Sequence, residues 1–164
     1  MIPISTSKKV RALGIYQILG GLFGIGLMLY MIDFLTLPPF LRFFFFIGFV
    51  LFTFSIYCGV LLFLRPALGL KCSTYNQLFQ TISFSVSGYA FQYISGVCLM
   101  VGLDMTESIN FKFTAGTPAW RLSINDENQL LLVSFNIFSF FLLLMIDKLQ
   151  SKMSESQSEE QVEL

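Results

Sequence analysis

Neutral polar side chains are the groups that could carry function in this otherwise apolar sequence. In the stretch 77–103 they recur at helical spacing and fall on roughly one face. A helix in lipid cannot expose such groups to hydrocarbon without a large cost in free energy, so this face is expected to meet protein or water. Gln17 and Asn136 belong to the same class in two other apolar stretches. The face in 77–103 comprises Thr81, Ser85, Gly88, Gln92, Ser95 and Gly96.

Two interpretations of this polar set stay open. The residues could form hydrogen bonds between helices, which contribute roughly 0.6 kcal/mol each in membrane proteins. They could instead line a narrow aqueous path, as in a pore or a solute carrier. In that case Ser85, Gln92, Ser95 and Asn136 are the residues expected along the path. Hydrogen bonding between helices is the simpler explanation, because it requires no open channel.

Reactive groups are missing from the apolar stretches. The chain has no His, and the carboxylates nearest to these stretches, Asp33, Asp104 and Asp147, lie at their boundaries. Proton-coupled transport, metal binding and nucleophilic catalysis all need ionisable or metal-ligating side chains in clusters. We therefore predict no catalytic, metal-binding or cofactor-binding residues. The formal net charge of zero gives no reason to expect nucleic acid as a partner.

The composition points to a lipid environment. Hydrophobic residues make up 55% of the chain and charged residues 12%, and Phe alone occurs 20 times. The charged fraction is about half that of an ordinary soluble domain. So much apolar surface would cause aggregation in water, whereas a bilayer can accommodate it. The lipid bilayer is therefore the first expected partner.

Four apolar stretches predict four membrane-spanning helices, at about 12–34, 41–64, 77–103 and 129–146. The first has 23 residues, or about 34 Å as a helix, which is enough to cross a bilayer. The predicted fold is an all-α integral membrane protein, a four-helix transmembrane bundle occupying 12–147. A cytoplasmic segment, 1–11, precedes it. An acidic tail, 148–164, follows and is predicted to be disordered because it cannot bury a core.

Gly20 and Gly24 form a GxxxG pattern in the first stretch, with Gln17 on the same side. Small residues let a second backbone approach closely. The partner could be another copy of the chain or another helix of the same chain. We favour packing within the chain, since GxxxG is a common pattern.

The segment 104–128 has a different periodicity. Residues 109–114 and 120–125 alternate apolar and polar side chains, and 115–118 has the composition of a turn. This pattern predicts a β-hairpin that lies on the helix ends as an outer loop. Its predicted contact residues are Phe111, Phe113, Trp120 and Arg121. The same loop could instead cap a pore or bind a partner.

The basic residues predict the orientation. With both termini in the cytoplasm, seven Lys and Arg residues lie inside and three lie outside. The three outside are Arg42, Lys112 and Arg121. The outer loop has no N-x-S/T sequence, which favours a bacterial inner membrane over a secretory-pathway membrane.

These features favour a non-enzymatic function. The leading hypothesis is a small membrane protein that works by helix–helix association, as an accessory subunit of a membrane complex or as a homo-oligomer. The alternative is a small pore or solute carrier lined by the neutral polar residues of the third and fourth stretches.

Overall fold

The computed structural model describes residues 4–31, 38–124 and 131–162, which form four helices and six strands. The helices are α1 (Ile4–Met31), α2 (Pro39–Leu64), α3 (Pro66–Thr81) and α4 (Ile137–Val162). All six strands lie between α3 and α4. They are β1 (Ile82–Val86), β2 (Tyr89–Ile94), β3 (Cys98–Asp104), β4 (Asn110–Gly116), β5 (Ala119–Ser123) and β6 (Leu132–Asn136).

The prediction of an all-α bundle of four membrane-spanning helices is wrong. Among the described residues, two helices are long and apolar enough to cross a membrane. They are Ser7–Tyr30 and Pro39–Leu64, with mean hydropathies of 1.8 and 2.4. The predicted spans 12–34 and 41–64 overlap these helices, whereas 77–103 and 129–146 do not form spanning helices. The description as a multi-pass four-helix bundle is corrected accordingly.

Within the stretch 77–103, α3 ends at Thr81 because apolar and polar side chains alternate from Ile82 onward. Ile82-Ser83-Phe84-Ser85-Val86 has the period of a strand and forms β1. Ser87 and Gly88 follow, with φ of +49° and +87°. Two successive residues with positive φ make the tight turn that best matches the twist of a hairpin. This turn joins β1 to β2, so Gly88 is a turn residue and not a residue of a helix interface.

The stretch 129–146 also changes structure within its length. Leu132–Asn136 forms β6, and α4 begins directly after it. The Asn136 side-chain oxygen accepts hydrogen bonds from the backbone N–H groups of Ser139 and Leu99, both at 3.3 Å. The first bond is an N-terminal cap for α4, a role that Asn performs well. Asn136 therefore marks the junction between sheet and helix.

The six strands form one antiparallel sheet in the order β4-β3-β6-β1-β2-β5. The predicted outer hairpin is wrong in its pairing, although both of its strands exist. β4 pairs with β3, and β5 pairs with β2, so the two become opposite edges of the sheet. The register explains this outcome. Gly116 lies opposite Cys98 and Ala119 opposite Ile94, so the β4–β5 turn runs alongside the β2–β3 connection.

The sheet has an inverted distribution of polar and apolar side chains. In β1, Ile82 and Phe84 are 54% and 40% exposed, whereas Ser83 and Ser85 are buried. Soluble proteins place apolar side chains inside and polar ones outside. The face that carries Ile82 and Phe84 is also apolar on β2, β3, β4 and β6. Its exposed members there are Tyr89, Leu103, Phe111, Phe113, Val133 and Phe135.

α1 and α2 pair along their length, and the rest of the protein packs on this pair in two halves. Toward the start of α1, Val10 and Leu13 pack with Leu62 of α2, Leu70 of α3 and Ile146 of α4. Toward the other end, the sheet takes the place of α3 and α4. There Met28, Phe45 and Phe52 pack with Tyr93 of β2, and Trp120 of β5 joins this second cluster.

α4 continues to Val162, which differs from the disordered tail predicted for 148–164. Two apolar residues explain the difference. Leu149 and Met153 lie one helical turn apart and are both buried in the cluster that contains Val10. Burial of these two side chains therefore extends the helix into a segment rich in Ser, Gln and Glu.

Candidate functional site

The concave face of the sheet carries a row of polar residues. Ser83 lies opposite Ser134, Ser134 opposite Gly102, and Gly102 opposite Lys112, so four adjacent strands present these positions on the same face. On the other side of β1, Gln92 of β2 lies opposite Arg121 of β5. The chain produces this face by placing Ser, Thr, Gln, Lys or Arg at alternate positions of successive strands.

A cavity of about 100 Å³ lies against this face. All six strands contribute to its wall, so the sheet is curved around its polar side. Ser83 and Ser85 are 6% and 7% exposed. The Ser83 Oγ atom is buried and has no hydrogen-bond partner among the described residues. Gln92 donates a long hydrogen bond of 3.5 Å to the sulfur of Met100 across the cavity wall.

The charged groups of the cavity are cationic. Lys112 and Arg121 contribute to its wall from β4 and β5, the two edge strands. The Lys112 Nζ atom lies 3.2 Å from a carboxylate oxygen of Asp104, at the end of β3. Hydrogen bonds from the Thr106 hydroxyl and backbone N–H, together with Lys112, lower the pKa of the Asp104 carboxyl. Lys112, one of the two cations, is thus paired with a carboxylate.

A second polar region lies deeper, where the helices meet the sheet. Ser55 of α2 is its centre and is fully buried. The Ser55 hydroxyl accepts hydrogen bonds from the Asn76 side chain (3.1 Å) and the Ser95 hydroxyl (2.8 Å), and donates to the Gln17 carbonyl (3.2 Å). The Tyr93 hydroxyl donates to Asn76 at 3.0 Å. One hydroxyl therefore connects α1, α2, α3 and the β2–β3 connection. We refer to Gln17, Ser55, Ser73, Asn76, Gln80, Tyr93 and Ser95 as the polar junction.

The outer members of the polar junction are paired in the same way. The Ser73 hydroxyl donates to the Gln17 side-chain oxygen at 3.1 Å, and the Ser95 backbone N–H donates to the Gln80 side-chain oxygen at 2.8 Å. A neighbouring pair links α3 to α4, where the Ser139 hydroxyl donates to the Gln77 side-chain oxygen at 2.8 Å. Two side-chain nitrogens in this region, Gln17 Nε2 and Gln77 Nε2, have no partner among the described residues. Hydrogen bonds therefore hold most side chains of this region in place, while these two amide nitrogens lack an acceptor among the described residues.

The structure separates the polar residues that the sequence places on one helical face. Ser85 and Gln92 contribute to the cavity, whereas Ser95 and Gln17 belong to the polar junction. Asn136 caps α4. Gly96, with φ of +115°, lies in the β2–β3 connection, and a Cβ atom on Gly20 would come within 2.9 Å of the Gly96 nitrogen. α1 thus packs Gly20 against the β2–β3 connection, which carries Ser95.

The remaining predicted residues divide between packing and exposure. A Cβ atom on Gly24 would overlap the ring of Phe52 in α2. Trp120 packs edge-to-face on Phe91 and lies against Gly48 of α2. Phe111 and Phe113 are 83% and 66% exposed and so do not face the helix ends. Arg121 contributes to the cavity wall. Asp33 lies outside the described residues.

Several site residues were not identified by sequence reasoning. The sequence assigns Ser83 to a site only if its segment is recognised as a strand. The alternation of apolar and polar residues at 82–86 is the signal for that strand, and Ser134 lies opposite Ser83 on its neighbour. In the sequence, Ser55 forms only a small-xxx-small pair with Gly59, a pattern that predicts helix packing and no polar site. Asn76 and Gln80, at the end of α3, gave no signal beyond being amides beside an apolar stretch.

No group of three or more His, Cys, Asp or Glu residues suited to a metal ion occurs in the described segments. The three cysteines are free, with Cys58 and Cys98 buried. Comparison with protein-family models, with curated proteins and with solved structures found no match for this chain. The fold and its polar sites are therefore the basis for assigning a function.

Proposed function

We propose that this chain is an integral membrane protein in which α1 and α2 cross the bilayer as a hairpin and the apolar face of the sheet lies against lipid. The inverted sheet is the observation that carries this proposal. Strands with apolar side chains outside and polar ones inside suit a hydrocarbon exterior, as in membrane β-proteins. In water the same arrangement would expose Phe84, Phe111, Phe113 and Phe135 together.

The contacts along α1 support a specific depth for the sheet. Gly20, near the middle of the segment Ser7–Tyr30, touches the β2–β3 connection at Ser95 and Gly96. This connection would therefore lie near the bilayer midplane. Trp120 packs on Gly48, nearer the α1–α2 end, so the strands extend from the midplane toward that side. Strands of five to seven residues cover about 17–23 Å, roughly the depth of one leaflet with its headgroups.

Charge supports the orientation. Lys8, Lys9 and Arg11 lie near the start of α1, and Lys148 and Lys152 lie on α4 at the same end of the protein. The positive-inside rule puts this end in the cytoplasm, and the plasma membrane of a bacterium is the proposed location.

In this setting the protein acts by association and not by catalysis. β4 is an edge strand, and in the described chain only β3 pairs with it. Unpaired backbone groups beside Phe111 and Phe113 would be costly in hydrocarbon, which favours pairing with a second polypeptide. The partner is either another copy of the chain or a subunit of a membrane complex.

The mass of the intact particle extracted in mild detergent tests this function. A multiple of 18.6 kDa supports a homo-oligomer, and a larger particle with a second protein supports an accessory subunit. The variant Phe113→Glu is expected to reduce the particle to a single chain, because it places a charge at the exposed edge. Phe141→Glu on α4 is the matched control, since Phe141 is similarly exposed at 63% but lies away from β4. A monomeric wild-type particle would contradict association.

A second candidate is a small pore or solute carrier. The observation that favours it is the polar cavity, which includes the predicted path residues Ser85 and Gln92. Replacement of Gln92 by Leu is the test, with ion or solute flux measured in reconstituted vesicles. Altered flux in a protein of unchanged melting temperature supports a carrier, whereas unchanged flux contradicts a path through this cavity.

A further inference from the structure

The buried hydroxyl of Ser83 marks the polar cavity of the sheet as a candidate binding site. The Ser83 Oγ atom lies in the cavity wall and has no hydrogen-bond partner among the described residues, and Ser83 is 6% exposed. An unpaired buried hydroxyl costs free energy, so native proteins rarely leave one without a water or a ligand to pair with it. The partner of this atom is therefore expected inside the cavity.

The charged groups of the wall favour a neutral ligand. Lys112 is paired with Asp104, and Arg121 also interacts with another group of the protein. Neither cation is therefore free to compensate a bound anion. Because taking an uncompensated charge out of water is costly, a neutral molecule suits the site better than an ion of either sign.

The uncharged polar groups of the wall select the chemistry of that molecule. They are four hydroxyls and one amide, from Ser83, Ser85, Thr114, Ser134 and Gln92. A hydroxyl both donates and accepts a hydrogen bond, and an amide side chain offers both functions as well. A ligand that pairs with this set needs donors and acceptors side by side, as on the neighbouring hydroxyls of a polyol. The Gln92 amide can turn to such a ligand at little cost, because its 3.5 Å bond to the Met100 sulfur is weak.

The size and the opening of the cavity limit the ligand. About 100 Å³ holds several water-sized positions, which is room for a polyol of the size of glycerol. Ser83 and Ser85 are buried, Ser134 is half-buried and Thr114, on the edge strand β4, is exposed. The cavity therefore opens at β4 and is closed at Ser83.

We propose that the concave face of the sheet binds one small neutral polyol, with Ser83 as the innermost hydrogen-bonding group and Gln92 and Ser134 along the wall. The binding does not depend on association, because the site lies on the opposite face from Phe111 and Phe113. For the carrier alternative it also names the substrate class, and only that extension rests on the second candidate function.

Protection of a cysteine in the cavity measures the binding. Cys72, the half-buried native cysteine, is first replaced by Ser, and Leu132→Cys then places a thiol in the cavity wall without removing a hydroxyl. The rate of modification by iodoacetamide is followed by mass in the full chain in detergent. Glycerol should slow this reaction saturably, by about twofold when half of the sites are filled. Ser151→Cys, at an exposed position of α4, is the control and should not respond to glycerol.

Two further probes test the assigned chemistry. Propan-1-ol has nearly the size of glycerol but a single hydroxyl, and inorganic phosphate carries its oxygens with negative charge. Neither should protect Leu132→Cys at concentrations at which glycerol does.

A variant tests the role of the innermost hydroxyl. Ser83→Ala, in the same background, should weaken protection by glycerol about fivefold, as loss of a hydrogen bond does. Its melting temperature without ligand should not fall, because the hydroxyl that it removes has no partner among the described residues. Ser108→Ala, in the exposed loop between β3 and β4, is the matched control and should leave the protection unchanged.

Three results would overturn the proposal. Absence of protection by glycerol at Leu132→Cys and at a second reporter in the mouth, Thr114→Cys, would leave water as the partner of Ser83. Equal protection by propan-1-ol would make the cavity an apolar site, and stronger protection by phosphate would make it an anion site. The particle mass tests association separately, so a monomer whose cysteine is protected would contradict association and support polyol binding.

Discussion

Ser55 illustrates how single residues hold this protein together. Its fully buried hydroxyl links α2 to α1, α3 and the β2–β3 connection through the Gln17 carbonyl, Asn76 and Ser95. Each hydrogen bond adds little net stability, because the same groups bond to water in the unfolded chain. They become important together, because removal of one partner leaves the others buried and unpaired.

We expect Ser55→Ala to lower the free energy of unfolding by about 2 kcal/mol, since it leaves the Asn76 amide and the Ser95 hydroxyl without their acceptor. Thr53→Ala is the control in the same helix. The Thr53 hydroxyl donates to the Phe49 carbonyl at 2.8 Å within its own helix and is exposed, so a change below about 0.5 kcal/mol is expected. Unfolding in mixed micelles measures both, and equal effects would contradict the role of the polar junction.

Asp104, at the end of β3, makes a pH-dependent contribution to the stability of the fold. Its pKa in the folded protein is lowered by Thr106 and Lys112, below an unfolded value of about 3.9. A lowered folded pKa means that the carboxylate stabilises the fold above the unfolded pKa. This stabilisation is lost as the pH falls through the folded pKa.

We therefore expect Asp104→Asn to lower the melting temperature at neutral pH and to match the wild-type protein at acidic pH. Melting curves from neutral pH to below about 3.9 make this comparison. Glu107→Gln removes the same charge from the adjacent loop and should show a smaller difference. A melting temperature difference for Asp104→Asn that does not change with pH would contradict the assigned contacts.

At the scale of elements, glycines decide how closely α1 approaches its neighbours. A Cβ atom on Gly20 would come within 2.9 Å of backbone atoms of Ser95 and Gly96, which have little room to move. Gly26, in the same helix, has nothing within 4 Å of that position. The helix therefore contains a matched pair of sites that differ only in their surroundings.

We expect Gly20→Ala to destabilise the protein by about 2 kcal/mol through overpacking against the β2–β3 connection. Gly26→Ala should be neutral or stabilising by up to about 1 kcal/mol, because Ala favours a helix. Thermal unfolding of both variants tests this difference. If Gly20→Ala retained wild-type stability but altered the oligomeric mass, the GxxxG face would instead contact another copy.

The helices and the sheet differed in how far the sequence could predict them. α1 and α2 were identifiable because each is a long apolar run ended by a boundary signal such as Pro66. β1 to β3 were not, because Thr81, Ser85, Gly88 and Gln92 satisfy a helical spacing while their neighbours also alternate. Over such short windows the two periods overlap, and the Ser87–Gly88 turn that decides between them is only two residues long.

The same limit applied to the candidate site. The sequence indicates polar residue types within the apolar stretches, including Gln17, Ser95 and Asn136. Their partners were not, since strand order determines which residues meet and the sequence does not specify it. Ser83 and Lys112 are 29 positions apart, yet the order β4-β3-β6-β1 puts them on one face.

At the scale of the whole molecule, we propose that the exterior meets lipid over the sheet as well as over α1 and α2. Both long helices expose large apolar side chains, with Leu19 of α1 and Phe46 of α2 each 61% exposed. Phe84 and Phe135 continue this surface across the sheet. A bilayer would cover all of it, whereas a protein partner at β4 would cover only one edge.

Fluorescence quenching by lipids with brominated acyl chains tests this claim most directly. The chain has a single Trp, so Trp120→Phe gives a background in which Phe84→Trp or Phe135→Trp reports one position on the sheet. Ser151→Trp, on the exposed polar part of α4, is the control that aqueous iodide should reach. We predict strong quenching of both sheet positions by brominated lipid and protection from iodide. Quenching of Phe84→Trp and Phe135→Trp by iodide to the same extent as the control would contradict the account.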